Sequence, residues 1–458
     1  MSTIRLRQLV GPAYFLACLL LGGSTQNVWF TAALQLAAVV ILAWAVIEGP
    51  IEPLTRDAQR LIVLAAALLG LVAVHLVPLP PSLWQSLPGR GLVSQGLKQL
   101  GLAPGWQPLS LVPYDTITTS LTLLPPLAML AAVLVLRAYT RPGMAVALFI
   151  GAALGLALGR LQIGGSEAVS ERFYIQPEHN MGTASGFFAN PNHMATLLLI
   201  TLPFVTALAG WGLDMFGGRS SRGRACLLLG GAGALLVIIG LTLNGSLAGL
   251  GLSIPVVLLS VLMFVRPSRW VRNGIFVAAA IAGLACVVVI ATSLNRNSFN
   301  GHTSSSIATR QEFFATGIKV AADYFPVGSG IGTFVPVYRI REGGRTSDLT
   351  IYVNHAHDDY LELLIETGLP GVALLMVFFL WWGSVVLRLM RTPDGDLFAR
   401  AGAIASLVIF IHSIVDYPLR TSAIAVSLAM ALSLLVLPKL HRSSAETELR
   451  PTRHVKID

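Results

Sequence analysis

The sequence predicts an all-α polytopic membrane protein, a bundle of about 12 transmembrane helices with one large outer loop carrying short helices. Three observations carry this. Of 458 residues only 12% are charged and 54% are hydrophobic, whereas an ordinary soluble domain is roughly 25% charged. The mean hydropathy is +0.72. The apolar residues also arrive in blocks of about 20, the length that crosses a bilayer core as a helix. A disordered chain, a nucleic-acid-binding module and a typical cytosolic enzyme are thereby excluded. The net charge of +9 does not call for nucleic acid, because the basic residues lie between the apolar blocks, where a membrane protein meets lipid headgroups.

Taken in order, the candidate spans are Leu9–Leu21, Val28–Ile47, Ala58–Val77, Ile117–Leu136, Gly143–Ile163, His193–Leu213, Ala225–Leu243, Ser246–Val265, Gly274–Ser293, Leu369–Leu389, Ala401–Val415 and Leu419–Leu437. The first follows Arg5 and Arg7 and has the look of a signal peptide. Gly22-Gly23-Ser24-Thr25 is not a clear cleavage site, so it reads as an uncleaved helix. Alternate connections hold Arg56/Arg60, Arg137/Arg141, Arg219/Arg222/Arg224, Arg266/Arg269/Arg272 and Arg388/Arg391/Arg400, and both ends are basic. Short basic loops stay cytoplasmic, which puts both termini inside.

The organisation that follows is helices 1–9 over residues 1–293, with outer loops at 78–116 and 164–192. A large outer loop covers 294–368, helices 10–12 cover 369–437, and a basic tail covers 438–458. The 294–368 loop gathers Arg296, Arg310, Lys319, Arg339, Arg341 and Arg345 with eight carboxylates. Charge concentrated there, and not at mid-span, points to chemistry at the outer membrane–water boundary, where a carrier would place some of it at the midplane. Cys18, Cys226 and Cys286 all fall in apolar spans without CxxC spacing and read as small buried hydrophobes.

Within the large loop, Ser306–Tyr324 has helical periodicity, with Arg310 in its first turns. Arg310 reads either as a solvated or ion-paired side chain or as a bidentate clamp for phosphate, a task suited to a guanidinium fork. Pro326–Phe334 is glycine-rich but lacks a βαβ context. Backbone permissiveness is its first reading and an anion nest its second. Asn354-His355-Ala356-His357-Asp358-Asp359-Tyr360 then opens a helix, capped by Asp358 or Asp359 with Glu362 as a capping-box partner and ended by Gly368. These backbone roles account for the acids and glycines. They leave His355 and His357, which read as a general base near carboxylates, as metal ligands, or as a structural pair.

Two further polar clusters stand at span ends. Asn190-Pro191-Asn192-His193 is a capped helix start. His412, Asp416, Tyr417, Pro418 and Arg420 close the eleventh span, with His412 and Asp416 at the four-residue spacing of one helix face.

Together these elements resemble the O-antigen ligase and O-antigen polymerase superfamily of bacterial membrane glycosyltransferases. Asn354–Gly371 is similar to that family's C-terminal signature, a histidine, an acidic or amide residue, Tyr-Leu, then a Glu-x-Gly-Leu-Pro-Gly close. Arg310 with Pro326–Phe334 resembles the segment before it, Phe187–His193 the Asn-x-Asn-His element, and Asp416–Arg420 the Asp-aromatic-Pro-Leu-Arg element. The resemblance runs from about Gly186 onward.

What the resemblance implies is a GT-C-like helical bundle and transfer of a glycan from undecaprenyl diphosphate to an acceptor hydroxyl on the periplasmic face of the bacterial inner membrane. The acceptor is lipid A–core oligosaccharide in a ligase or a second lipid-linked glycan in a polymerase. His357 is expected to be catalytic. Arg310, His355, Asn354, Asp358, Tyr360, Asn192, His193, Asp416 and Arg420 are expected to bind substrate, with no metal and no cofactor. The family often carries a Ser-Arg pair where this chain reads Asn244-Gly245-Ser246; Arg172, Arg420 and Arg339 are candidate replacements. The reading outside this class is a transporter or flippase of lipid-linked sugars.

Overall fold

A computed structural model describes residues 3–24, 28–103, 105–165, 167–175, 181–264, 274, 301–342, 353–392 and 395–437. Those residues form a helical bundle whose sole paired strands among them are a two-residue hairpin, Pro78–Leu79 against Gln107–Pro108. Among the described residues, seven helices are long and apolar enough to cross a membrane: Val28–Glu48, Arg56–His75, Pro113–Val135, Arg141–Gly164, Pro191–Phe216, Ser221–Asn244 and Asp359–Arg391. Shorter apolar helices cover Leu247–Met263, Leu397–His412 and Ser422–Val436, and a further helix spans Thr3–Leu21. The expected span Gly274–Ser293 lies, beyond Gly274, outside the described residues. The count of 12 therefore corresponds to seven full-length spanning helices, with the remaining apolar segments shorter or outside the description.

The centre of the bundle is the Pro191–Phe216 helix, most of which is buried. It packs against Ser221–Asn244, Leu397–His412 and Leu247–Phe264. A helix enclosed on all sides can be apolar all round, and Leu197, Leu198, Leu199 and Ile200 are accordingly all in the core. The basic connections meet at one end. Arg7 pairs with Glu48, Arg137 with Glu52, Arg141 with Asp396, and Arg388 with Asp57. At the other end lie the start of Pro191–Phe216, the start of Asp359–Arg391 and the finish of Leu397–His412.

That second end carries a separate cap with its own apolar core of Phe313, Val320, Tyr324, Phe334, Tyr338 and Ile365. Helices Gly301–Tyr324 and Phe334–Glu342 form it; the first starts five residues before the predicted Ser306. The Asp359–Arg391 helix is two helices merged across Gly368, whose backbone (φ 59°, ψ −148°) is not helical. The predicted stop at Gly368 thus holds. A side chain there would meet the Pro326 carbonyl, so the kink and the close approach both require glycine.

The described residues of the 78–116 connection are structured, not open. Arg90, fully buried, donates to the carbonyls of Pro88, Leu109 and Gly328 at 2.7–3.0 Å. Leu111 N–H donates to Ser329 O and the Thr116 hydroxyl to Ile331 O. The loop therefore clamps the glycine-rich turn. Burial pulls the Arg90 guanidinium below its ordinary pKa.

Candidate functional site

Three segments converge where the cap meets the bundle. The first is the Pro191–Phe216 helix start, in which the Asn190 side chain accepts from Asn192 N–H and Pro191 occupies the first turn. The second is 353–367, in which Asp358 accepts from the N–H groups of Tyr360 and Leu361 at 2.8 and 3.0 Å. The third is the turn after Leu397–His412. That helix stops at His412, yet Asp416 N–H still donates to His412 O at 3.0 Å, and both side chains face the Pro191–Phe216 helix, His412 at Thr196 and Asp416 at Asn192.

Asp416 is fully buried and is the hub. Its carboxylate accepts from the Asn190 amide at 3.2 Å, from the Asn192 amide, and from the Tyr417 backbone N–H at 2.9 Å. Two imidazoles flank it: His193 Nε2 at 3.6 Å and His357 Nδ1 at 3.7 Å from the same oxygen, Oδ1. The Tyr417 ring lies among three histidines, with centroids 5.0 Å from His193, 4.4 Å from His355 and 4.8 Å from His357. Asn190 and Asn354 reach its hydroxyl; burial first, then the Asp416 charge, raises the phenol's pKa.

His357 is held in an unusual way. Its φ of 55° lies in the left-handed region, which non-glycine residues enter at a cost and which clusters at functional sites. Its ring stacks on Phe313 at 5.9 Å and 23°. Phe313 follows Arg310 by three residues in the Gly301–Tyr324 helix. The Arg310 side chain itself lies outside the described residues.

A second charged layer lies behind the histidines. Arg420 meets Asp359 at 3.6 Å, Glu362 at 3.4 Å and Glu366 at 3.2 Å. Burial alone would lower the Arg420 pKa, but the carboxylates of Glu362, Glu366 and Asp359 raise it above the ordinary arginine value. Glu362 also accepts from Ala356 N–H at 3.0 Å and sits 2.9 Å from His355 Nδ1. Asp359 accepts from the Ser413 hydroxyl at 2.8 Å. Glu366 accepts from Gly332 N–H at 2.9 Å.

This changes the reading of the acids. Asp358 is a cap, as the sequence suggested, and burial raises its pKa. Asp359 and Glu362 are not a capping box; they are counter-ions of Arg420. The signal was present: 359, 362 and 366 are three and four residues apart, a carboxylate stripe on one helix face. The glycine-rich turn likewise resolves as backbone permissiveness, with Gly328, Gly330 and Gly332 all at positive φ. Its amides at 329 and 330 donate to Ile365 and Glu366 carbonyls, and Gly332 to the Glu366 carboxylate.

Of the predicted site residues, His357, His355, Asn354, Asn192, His193, Asp416 and Arg420 come together. Tyr360 does not bring its hydroxyl there, since it donates to Phe410 O at 2.7 Å. His355 and His357 face different carboxylates, Glu362 and Asp416, so the His-x-His-x-Asp run does not converge on one point. Asn244 donates to the Ala184 and Pro191 carbonyls, and Ser246 to the Asn192 side chain. The Asn244–Ser246 segment thus braces the Asn190–His193 element. Arg172 and Arg339 are exposed. What sequence reasoning missed is the acid stripe and buried Arg90; nothing in the sequence around Arg90 marks its distant partner Gly328.

The fold and site define a polytopic helical membrane protein with a buried carboxylate–imidazole centre beneath an extramembrane cap. A family described as O-antigen ligase matches residues 232–376, so that stretch supports a likeness to the O-antigen ligase/polymerase superfamily of membrane enzymes. The matched stretch contains His355, His357 and the acid stripe, while Asn190–His193 and Asp416–Arg420 lie outside it. No curated protein matches the chain.

Proposed function

We propose that this protein is an O-antigen ligase-type glycosyltransferase that moves a glycan from undecaprenyl diphosphate to an acceptor hydroxyl on the periplasmic face of the inner membrane. The observation that carries the reading is His357, held with a left-handed backbone and its Nδ1 3.7 Å from buried Asp416. Asp416 orients the imidazole through Nδ1 and stabilises the imidazolium that forms, which leaves Nε2 to take the proton. The acceptor oxygen then attacks the anomeric carbon, the bond to the diphosphate oxygen breaks, and a single displacement inverts that centre.

A diphosphate is already a good leaving group, so the protein's remaining task is to hold the developing charge. Arg310, one turn from the Phe313 that stacks on His357, is the candidate for this contact. Arg420 is matched by three carboxylates and is better suited to positioning. It holds Glu362, and Glu362 holds His355 and the backbone N–H of Ala356, the residue just before His357. The basic connections gather at the end away from this site, which supports a cytoplasmic location for them and a periplasmic one for the site.

Ligase and polymerase chemistry share this centre. We take ligase as the reading, with an exopolysaccharide or O-antigen polymerase as its neighbour, on the family description alone. Purified protein given an undecaprenyl-diphosphate glycan and lipid A–core tests it. Single attachment with an inverted linkage is expected, whereas a ladder of growing glycans identifies the polymerase, and retention excludes the mechanism.

A further inference from the structure

The end of the bundle remote from the histidines carries a feature that glycan transfer does not use. A groove of about 560 Å³ opens between the Arg56–His75 helix and the second half of Asp359–Arg391. Arg56, Gln59 and Arg60 line one part of it, and Val63, Leu64, Val377 and Trp381 line the rest. The separation follows from the helix: Arg56 and Arg60 are in the first turns, and Val63 and Leu64 one to two turns deeper, at about 1.5 Å per residue. One side of the groove's length is therefore cationic and the other apolar.

The charge is not cancelled internally. Asp57 accepts from Arg388 at 2.8 Å and from Arg60 at 3.3 Å, so three guanidiniums (Arg56, Arg60 and Arg388) stand against one carboxylate. Arg60 keeps 59% of its side chain exposed despite that contact. The apolar part is also uncovered, with Val63 66% and Val377 53% exposed. Trp381 forms the floor at 7% exposure, and its indole N–H has no hydrogen-bond partner among the described residues. A buried donor without an acceptor is costly, and the residue that carries it lines the groove.

We propose that this groove binds an anionic phospholipid, with its phosphate between Arg56 and Arg60 and an acyl chain along Val63, Leu64 and Val377, over Trp381. A zwitterionic lipid leaves the surplus cations uncompensated. A two-fold contact with a second copy brings the same arginines to both sides of the interface, where they repel. Basic grooves between spanning helices at the membrane surface suit an acidic headgroup for the same electrostatic reason.

The test is native mass spectrometry of the full-length protein in non-ionic detergent, titrated with phosphatidylglycerol or phosphatidylcholine of matched chains. Phosphatidylglycerol is expected to remain bound where phosphatidylcholine is lost. Arg56→Gln with Arg60→Gln should weaken it at least tenfold. Val63→Trp, at an exposed position and with every charge intact, should weaken it comparably by filling the groove. The proposal is overturned if the two lipids bind equally or if either variant retains phosphatidylglycerol like the parent. It is also overturned if glycerol phosphate competes as well as the lipid, or if the protein is a lipid-free dimer.

Discussion

His357 Nδ1 and Asp416 Oδ1 face each other across 3.7 Å, and His193 Nε2 approaches the same oxygen at 3.6 Å. One buried carboxylate thus organises two imidazoles that are 164 residues apart in the chain. Neither is within hydrogen-bond distance of it, and catalytic contacts of this kind tighten when substrate is bound. The two amides on Asp416, from Asn190 and Asn192, fix its plane from the Pro191–Phe216 helix.

Asp416→Asn should therefore lower the rate of transfer substantially while leaving the affinity for the lipid-linked donor near the parent value. The substitution keeps the shape and removes the charge that orients and stabilises His357. A kcat–KM comparison in detergent checks this; a change confined to KM contradicts it.

Arg420→Met should destabilise the protein by about 3–5 kcal/mol, because it strands three buried carboxylates without their counter-ion. Thermal unfolding in detergent is the readout. Arg420→Lys should recover part of the loss, since a point charge cannot span Asp359, Glu362 and Glu366 as a planar fork does.

Gly368→Ala should cost about 1–3 kcal/mol in backbone strain alone. The residue has φ of 59°, and a Cβ there meets the Pro326 carbonyl. Loss of the turn also misplaces Glu366, so reduced activity is expected to accompany the fall in stability. Unchanged unfolding would mean that the kink is not needed.

Arg310→Lys should impair transfer, because diphosphate recognition uses two N–H groups in a fork. Arg310→Lys with wild-type kinetics would reduce this arginine to a surface charge. Chelation with EDTA should leave the rate unchanged, as His355 and His357 are engaged by different carboxylates. Loss with EDTA and recovery with a divalent ion would restore the metal reading.

Much of this arrangement was legible in the sequence. The helix starts at Asn190-Pro191 and Asp358, the break at Gly368 and the polar clusters at Asn190–His193, Asn354–Asp359 and Asp416–Arg420 are local signals, set by capping and backbone chemistry. Long-range pairing was not legible. The four-residue spacing of His412 and Asp416 puts them on one side, but it cannot report that the helix ends at His412 or that their partners are Thr196 and Asn192. Asp359 and Glu362 were assigned to capping because their partner, Arg420, lies far along the chain. Arg90 went unnoticed because its worth depends on the carbonyl of Gly328, to which no sequence pattern points.

In the function proposed above, His357 removes the proton from the acceptor hydroxyl. The most direct test measures transfer from an undecaprenyl-diphosphate glycan by His357→Ala protein that has been shown to unfold at the parent temperature. A loss of about 10²–10⁴-fold is predicted, the usual contribution of a general base, with donor binding retained. Turnover near the parent rate in that folded variant would remove His357 from the mechanism.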